Sequence, residues 1–199
     1  WLEGQGLVRP HLVGSSMGGA VSLELGRAGR AASVTAFAPA GFWHTPGLRW
    51  SQLLLTSLRG TSRLAGGLVD RALDHDAARA ALLAPLFGRP AAVSPAAARE
   101  DVAGLVGACA FAAARDSFTS YRWSPGDDVG GLADIPVTVA WGTKDVVLTH
   151  RTQSRRAREV LPSARHVDLA GCGHLPFNDD PATCAALVAS TVASAVDGP

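Results

Sequence analysis

Pro10-His11-Leu12-Val13-Gly14-Ser15-Ser16-Met17-Gly18-Gly19 is the stretch whose reading decides the fold of this chain. It holds G-x-S-x-G where an apolar, strand-like run passes into a helix-like one. A serine at such a tight strand-to-helix turn projects its Oγ from the carboxyl edge of a sheet, and small flanking residues let the turn close. Of the two adjacent serines, Ser16 has Gly14 and Gly18 two residues away on either side. Ser15 would need glycine where Val13 stands, so Ser16 is the candidate nucleophile. Downstream, Ala20, Val21 and Leu25 recur at helical spacing over residues 17–28. A dinucleotide-binding turn would require G-x-G-x-x-G, which no stretch supplies.

A serine hydroxyl needs a general base to attack at neutral pH, and the base needs an orienting acid. Six histidines are available. His11 lies on the elbow strand, His44 and His75 in an irregular middle region, His150 ahead of an Arg-rich helix, and His166 inside a strand-like run. His174 stands in the turn Gly171-Cys172-Gly173-His174-Leu175-Pro176, directly after the strand-like run 165–170. A loop in that place brings a base to the sheet edge where Ser16 sits, so His174 is the candidate base. The acid of such a constellation falls between serine and histidine in the chain. Residues 135–141 read as a buried strand, and Asp145 is the first acid beyond its end. Asp127, Asp128 and Asp134 precede that strand and belong to its other end, which leaves Asp168 as runner-up. The strand-like run 34–40 offers no carboxylate. Asp179 and Asp180 read as a helix start, with Asp180 capping and Pro181 in the first turn.

The elbow at 13–19, the segment Val139-Ala140-Trp141-Gly142-Thr143-Lys144-Asp145, and the histidine turn followed by Asp179-Asp180-Pro181 together resemble the α/β-hydrolase superfamily. Order and spacing both fit, and the motifs span nearly the whole chain. The resemblance implies an α/β fold with a mostly parallel sheet. It also implies a Ser16–Asp145–His174 hydrolase with no metal and no organic cofactor, and Met17 N–H as an oxyanion donor. It speaks against the dehalogenase and epoxide-hydrolase branches, which place aspartate at the nucleophile position. In that family four strands and the loop giving the second oxyanion N–H precede the elbow. Here the elbow falls within the first twenty residues. The chain therefore reads as the carboxyl-terminal portion of a longer protein, without the second donor. One missing donor costs on the order of 10²–10³ in turnover.

With 199 residues, 47% of them hydrophobic, the chain suits one domain carrying an inserted subdomain. A net charge of +1 gives no general attraction to nucleic acid. Arg151, Arg155, Arg156 and Arg158 cluster on one helix and read as a solvated face. Cys109, Cys172 and Cys184 have no metal-type spacing and no even count, which implies free thiols and a reducing, cytoplasmic compartment. The apolar run 182–196 is too short to span a membrane.

Between Pro39 and Pro136 no strand-like run appears. Residues 48–58, 61–73 and 76–83 read as helices, and Ser94 caps a longer one entered through Pro95 and running toward Ala114. The resemblance makes this stretch a helical cap, giving core residues 1–42, cap residues 43–133 and core residues 134–199. Phe42 and Trp43, nearest the sheet edge, are the expected contacts for a small apolar ester-like substrate. The expected reaction is cleavage of an ester, thioester or related carbonyl bond. C–C bond hydrolysis and cofactor-free perhydrolysis would use the same triad, and a non-catalytic relative is the remaining reading.

Overall fold

The structure is a computed structural model that describes residues 1–196. Four strands form one parallel sheet in chain order: β1 (His11–Ser15), β2 (Ser33–Phe37), β3 (Val137–Gly142) and β4 (Arg165–Leu169). Parallel neighbours need long crossovers, and here each one is helical. α1 (Met17–Arg27) links β1 to β2. Between β2 and β3 run α2 (Thr45–Leu64), α3 (Gly66–Ala72), α4 (Asp76–Leu83), α5 (Pro95–Gly107) and α6 (Phe111–Ser117). α7 (His150–Val160) links β3 to β4, and α8 (Pro176–Asp179) and α9 (Pro181–Val196) follow. With all strands parallel, Ser15, Phe37, Gly142 and Leu169 end at one edge of the sheet.

Side chains alternate along a strand, so the two central strands feed two cores. Val34, Ala36, Val139 and Trp141 pack with Leu23 of α1 and with Ala157 and Val160 of α7. Phe37 and Ala140 face the other way and pack with Leu169 and with Cys184 and Leu187 of α9. On that second face the hydroxyls of Thr138 and Thr191 meet at 2.7 Å. β2 and β3 are buried along their whole length, which is why they read as unbroken apolar runs. Side chains as large as Phe37 and Trp141 each contribute roughly 1.5–3 kcal/mol when fully buried. Among the described residues β1 has a neighbouring strand on one side only, and its Val13 is half exposed.

Several boundaries differ from the sequence expectation. The strand expected over 34–40 stops at Phe37, because Ala38 takes a φ of +40° and turns the chain away. α2 begins earlier than predicted, with Pro46 in its first turn, and runs on to Leu64. The helix expected over 61–73 is broken at Ala65, before the flexible pair Gly66-Gly67. Ser94 Oγ does accept the N–H of Ala97, at 3.2 Å. The helix it caps nonetheless stops at Gly107 and does not continue toward Ala114. Arg59 of α2 donates to the carbonyls of Leu105, Val106 and Ala108 at 2.9–3.1 Å, taking acceptors that another turn would use.

The helical stretch between β2 and β3 has a small core of its own, including Val69, Leu73, Leu83 and Phe87. Arg79 is buried inside it and donates to the carbonyls of Leu73 and Val93 and to Asp76. The two ends of the stretch meet where Trp123 N–H donates to the carbonyl of Gly41 at 2.9 Å. Not all of the α7 arginines form a solvated face. Arg156 reaches back to the carbonyl of Trp123 and to Ser124, and Arg158 pairs with Asp168.

All three cysteines are unpaired, Cys109 exposed and the other two buried. Burial pushes the Cys184 thiol up to about 11. Among the described residues no helix is long and apolar enough to cross a membrane.

His166 on β4 is half-buried, and its Nε2–H donates to the carbonyl of Leu161 at 2.8 Å. Burial lowers its pKa below the usual histidine range, so on acidification the unfolded chain binds this proton first. The stability it contributes is complete above the unfolded value of about 6.5 and is lost progressively as the pH falls from there through the lower folded value. Urea unfolding at neutral and mildly acidic pH is expected to show a smaller acid loss for His166→Gln than for the parent. Equal losses would remove His166 from the account.

Candidate active site

Ser16 follows β1 and precedes α1 with φ 53° and ψ −116°. For a residue with a Cβ such a conformation costs of order 1–3 kcal/mol, and it persists only where the surroundings impose it. Here they do. Ser16 N–H donates to Phe37 O at 2.9 Å, and the Ser16 carbonyl accepts from Ala20 at 3.1 Å and Ala40 at 3.0 Å. The turn closes so tightly that a Cβ on Gly14 would collide with the carbonyl of Gly18. Ser15 is the last residue of β1, and its buried hydroxyl finds no partner among the described residues. Ser16 is therefore the serine at the turn. Met17, half exposed, opens α1, so its N–H has no carbonyl one turn back within the helix.

Asp145 ends the turn that follows β3. Its Oδ1 accepts the N–H groups of Val147 and Leu148, each at 2.9 Å. Its Oδ2 lies 2.9 Å from Nδ1 of His174. Both side chains are almost wholly buried, at 0% and 5% exposure. In so dry a setting a satisfied hydrogen bond is strong and the ring is held firmly. An Nδ1–H given to the carboxylate leaves Nε2 as the basic nitrogen of the ring.

The aspartate and histidine turns are laced together by their backbones. Thr143 N–H donates to Leu169 O, Lys144 N–H to Cys172 O, and Gly171 N–H to the Thr143 hydroxyl, at 2.9–3.0 Å. The structure thus brings Asp145 and His174 into direct contact. Ser16 shares their sheet edge without a hydrogen bond to His174.

The runner-up Asp168 is engaged elsewhere, bonded to His150 at 2.9 Å and Arg158 at 2.7 Å. Its partial burial raises its pKa, but those two partners outweigh that and hold the carboxyl below its usual range. The other histidines are also accounted for: His11 bonds Ser33, while His44 and His75 are exposed ahead of α2 and α4.

Phe42 and Trp43, the expected substrate contacts, lie just beyond β2. Both are buried, at 0% and 1% exposure. Phe42 stacks on Trp123 and meets Trp141 edge-on, and Trp43 Nε1 donates to Tyr121 O at 3.1 Å. Their surface is spent on core packing.

An apolar cavity of about 160 Å³ lies among the helices between β2 and β3, lined chiefly by Leu54, Leu58, Val69, Leu83, Leu86 and Val102. One wall, Leu86, accepts the N–H of Leu175, the neighbour of His174, at 3.0 Å. No group of three or more metal-type side chains gathers among the described residues.

Asp180 does cap α9, accepting from the N–H and hydroxyl of Thr183. Its neighbour Asp179 does something the sequence did not signal: its buried carboxylate accepts N–H groups from Gly88, Arg89 and Gly173. The first two lie some ninety residues away in the chain, so local pattern carries no trace of the contact.

The model of the alpha/beta hydrolase family matches residues 2–187. The chain is 30% identical over 199 aligned residues to the epoxide hydrolase EphH of Mycobacterium tuberculosis, across 96% of this chain and 89% of that protein. Among solved structures it superposes on a bacterial membrane phospholipase A with a TM-score of 0.66 at 20% identity. That match covers 99% of this chain, which spans 61% of the phospholipase. A thermophilic esterase from Thermogutta terrifontis matches with a TM-score of 0.61 at 17% identity, over 98% of this chain and 68% of the esterase.

Proposed function

Because the chain belongs to the alpha/beta hydrolase family, we propose that it is a serine hydrolase cleaving an ester, thioester or related carbonyl bond. The observation that carries this reading is the dry His174–Asp145 hydrogen bond of 2.9 Å, at the sheet edge where Ser16 follows β1. In the first step Ser16 Oγ bonds to the carbonyl carbon while His174 Nε2 takes its proton. Negative charge gathers on the carbonyl oxygen, where Met17 N–H is one donor. The tetrahedral adduct collapses, the leaving alkoxide or thiolate departs with the proton from His174, and an acyl group stays on Ser16. Water, deprotonated by the same imidazole, then attacks that acyl group; the C–Oγ bond breaks, His174 returns the proton to Ser16 Oγ, and the carboxylic acid leaves. Asp145 holds the ring throughout and stabilises its charged form.

The helical insertion, residues 43–133, serves in this reading as a cap that excludes water and shapes the substrate site. The apolar cavity within it is of the size that takes up a benzene ring, but none of Ser16, Met17, Asp145 and His174 lines it.

The likeness to EphH supports a second reading, epoxide hydration. Chemistry separates the two. Attack of Ser16 on an epoxide carbon would leave an ether, which has no carbonyl for water to attack. Epoxide opening here would therefore run through water activated directly by His174, with no covalent intermediate.

The test is fluorophosphonate labelling of the chain, mapped by mass spectrometry, beside ester and epoxide turnover. An adduct on Ser16 with ester turnover supports the serine hydrolase. Epoxide turnover with no adduct replaces it by the second reading, and neither would overturn both. In Asp145→Asn the imidazole loses its orienting acceptor and presents the wrong tautomer, so labelling and ester turnover are expected to fall by about 10⁴. A loss below tenfold would remove Asp145 from the triad.

A further inference from the structure

We propose that Asp179 is a positioning residue that fixes His174 by tying its loop to the helical insertion, a role resting on His174 being the base. Asp179 is 5% exposed. Its Oδ2 accepts the N–H of Gly173, the residue before His174, and the N–H of Gly88, both at 2.8 Å. Its Oδ1 accepts the N–H of Arg89 at 2.7 Å. Three short, charge-assisted bonds converge on one carboxylate, well within its acceptor capacity.

The residue after His174 is held to the same strap, since Leu175 N–H donates to Leu86 O at 3.0 Å. Two further bonds brace the junction: Arg89 Nη1 to the Asp179 carbonyl at 3.1 Å, and Lys144 Nζ to the Gly88 carbonyl at 3.1 Å. The backbones themselves touch. A Cβ on Gly173 would lie 2.6 Å from Gly88 N, and one on Gly88 would collide with Gly171 O.

His174 is thus fixed from two sides. Asp145 holds its ring, and Asp179 with the 86–89 strap holds its backbone. Because Gly88 and Arg89 belong to the insertion and Gly173 to the histidine loop, a displacement of one carries the other. The position of the base is coupled to the position of the helices between β2 and β3.

Asparagine at 179 keeps the shape but offers one acceptor oxygen and an NH₂ that confronts a backbone N–H. Asp179→Asn is expected to speed amide exchange at Gly88, Arg89 and Gly173 together, by about tenfold or more. Its labelling rate at Ser16, per folded molecule, is expected to fall about 10²-fold, the scale of an ångström-sized misplacement. Asp179→Glu, which keeps both anionic oxygens, should recover part of each loss, and it carries the same readouts if the asparagine variant does not fold. Asp180→Asn removes a neighbouring charge that only caps α9, and should change neither readout.

Exchange and labelling within twofold of the parent in folded Asp179→Asn would overturn the proposal, as would an equal labelling loss in Asp180→Asn. A parent that never labels would refute the serine hydrolase reading and, with it, the catalytic part of this one. The concerted exchange at the three amides would still decide whether the clamp exists.

Discussion

Ser16→Ala is expected to abolish covalent labelling and to lower ester turnover by about 10⁶-fold, the loss seen when a triad nucleophile is removed. The substitution deletes the one oxygen that bonds to the acyl group, and Ser15 cannot replace it. That neighbour ends β1 with its hydroxyl buried. The fold should be untouched, because alanine at φ 53° carries the same backbone strain as serine. Ser16→Gly separates the two effects. It is equally inactive, yet glycine enters this region without steric penalty. Relief of about 1–3 kcal/mol of strain, less the 0.5–1 kcal/mol of extra glycine entropy, is expected to leave the variant about 1 kcal/mol more stable. Turnover measured with chemical denaturation checks both statements. Ser16→Ala turning over within tenfold of the parent would end the serine hydrolase reading.

Gly14→Ala is expected to destabilise the chain by about 3–5 kcal/mol, a large share of the roughly 5–15 kcal/mol that holds an ordinary domain together. A Cβ there would run into the Gly18 carbonyl and lie 2.7 Å from Gly19 N, all of it backbone that cannot swing aside. The first turn of α1 would have to lift from β1, and the contacts of Ala20 and Leu23 in the core would go with it. Gly18 is the other glycine of the same motif, and its surroundings are open: a Cβ there meets nothing within 4 Å. In the first turn of a helix, Gly18→Ala is expected to be neutral or to stabilise by up to about 1 kcal/mol. Denaturation midpoints of the two variants check the contrast. Similar losses at both positions would show that the close approach at Gly14 is not what the turn depends on.

That contrast shows what a pattern of residues can and cannot carry. G-x-S-x-G treats its glycines alike, because spacing records residue type and not the distance to a neighbour's carbonyl. The parallel sheet was legible because β2 and β3, buried on both faces, leave continuous apolar runs in the sequence. The juxtaposition of Asp145 with His174 was legible for the same reason: each is an early polar residue beyond a strand end, and parallel strands end together.

Local pattern fell short where a distant residue decided the outcome. The break after Gly107 belongs to Arg59, in another helix. The burial of Phe42 and Trp43 belongs to Tyr121, Trp123 and Trp141. Asp179 and Asp180 are indistinguishable as letters, and only the arrival of Gly88 and Arg89 makes one a clamp and the other a cap.

The backbone turns away from the sheet after Gly41 and comes back beside it at Trp123, and those two residues share a hydrogen bond. The excursion thus begins and ends at one doorway, although Leu48 still packs in the core and Trp50 and Ser51 donate to the carbonyls of Val146 and Val147. Segments of other lengths could be spliced into that doorway at little thermodynamic cost, since doubling a loop adds only about 0.6 kcal/mol of closure entropy. Lineages could thus trade this segment while keeping the strands and their edge, and a protein engineer could do the same. One condition limits the exchange. A donated segment must bring two backbone N–H groups to meet Asp179, or the carboxylate stays buried with Gly173 alone. Grafts chosen only to fit the doorway should fold and yet lose the register of the histidine loop, while grafts that also reproduce the 86–89 strap should keep it.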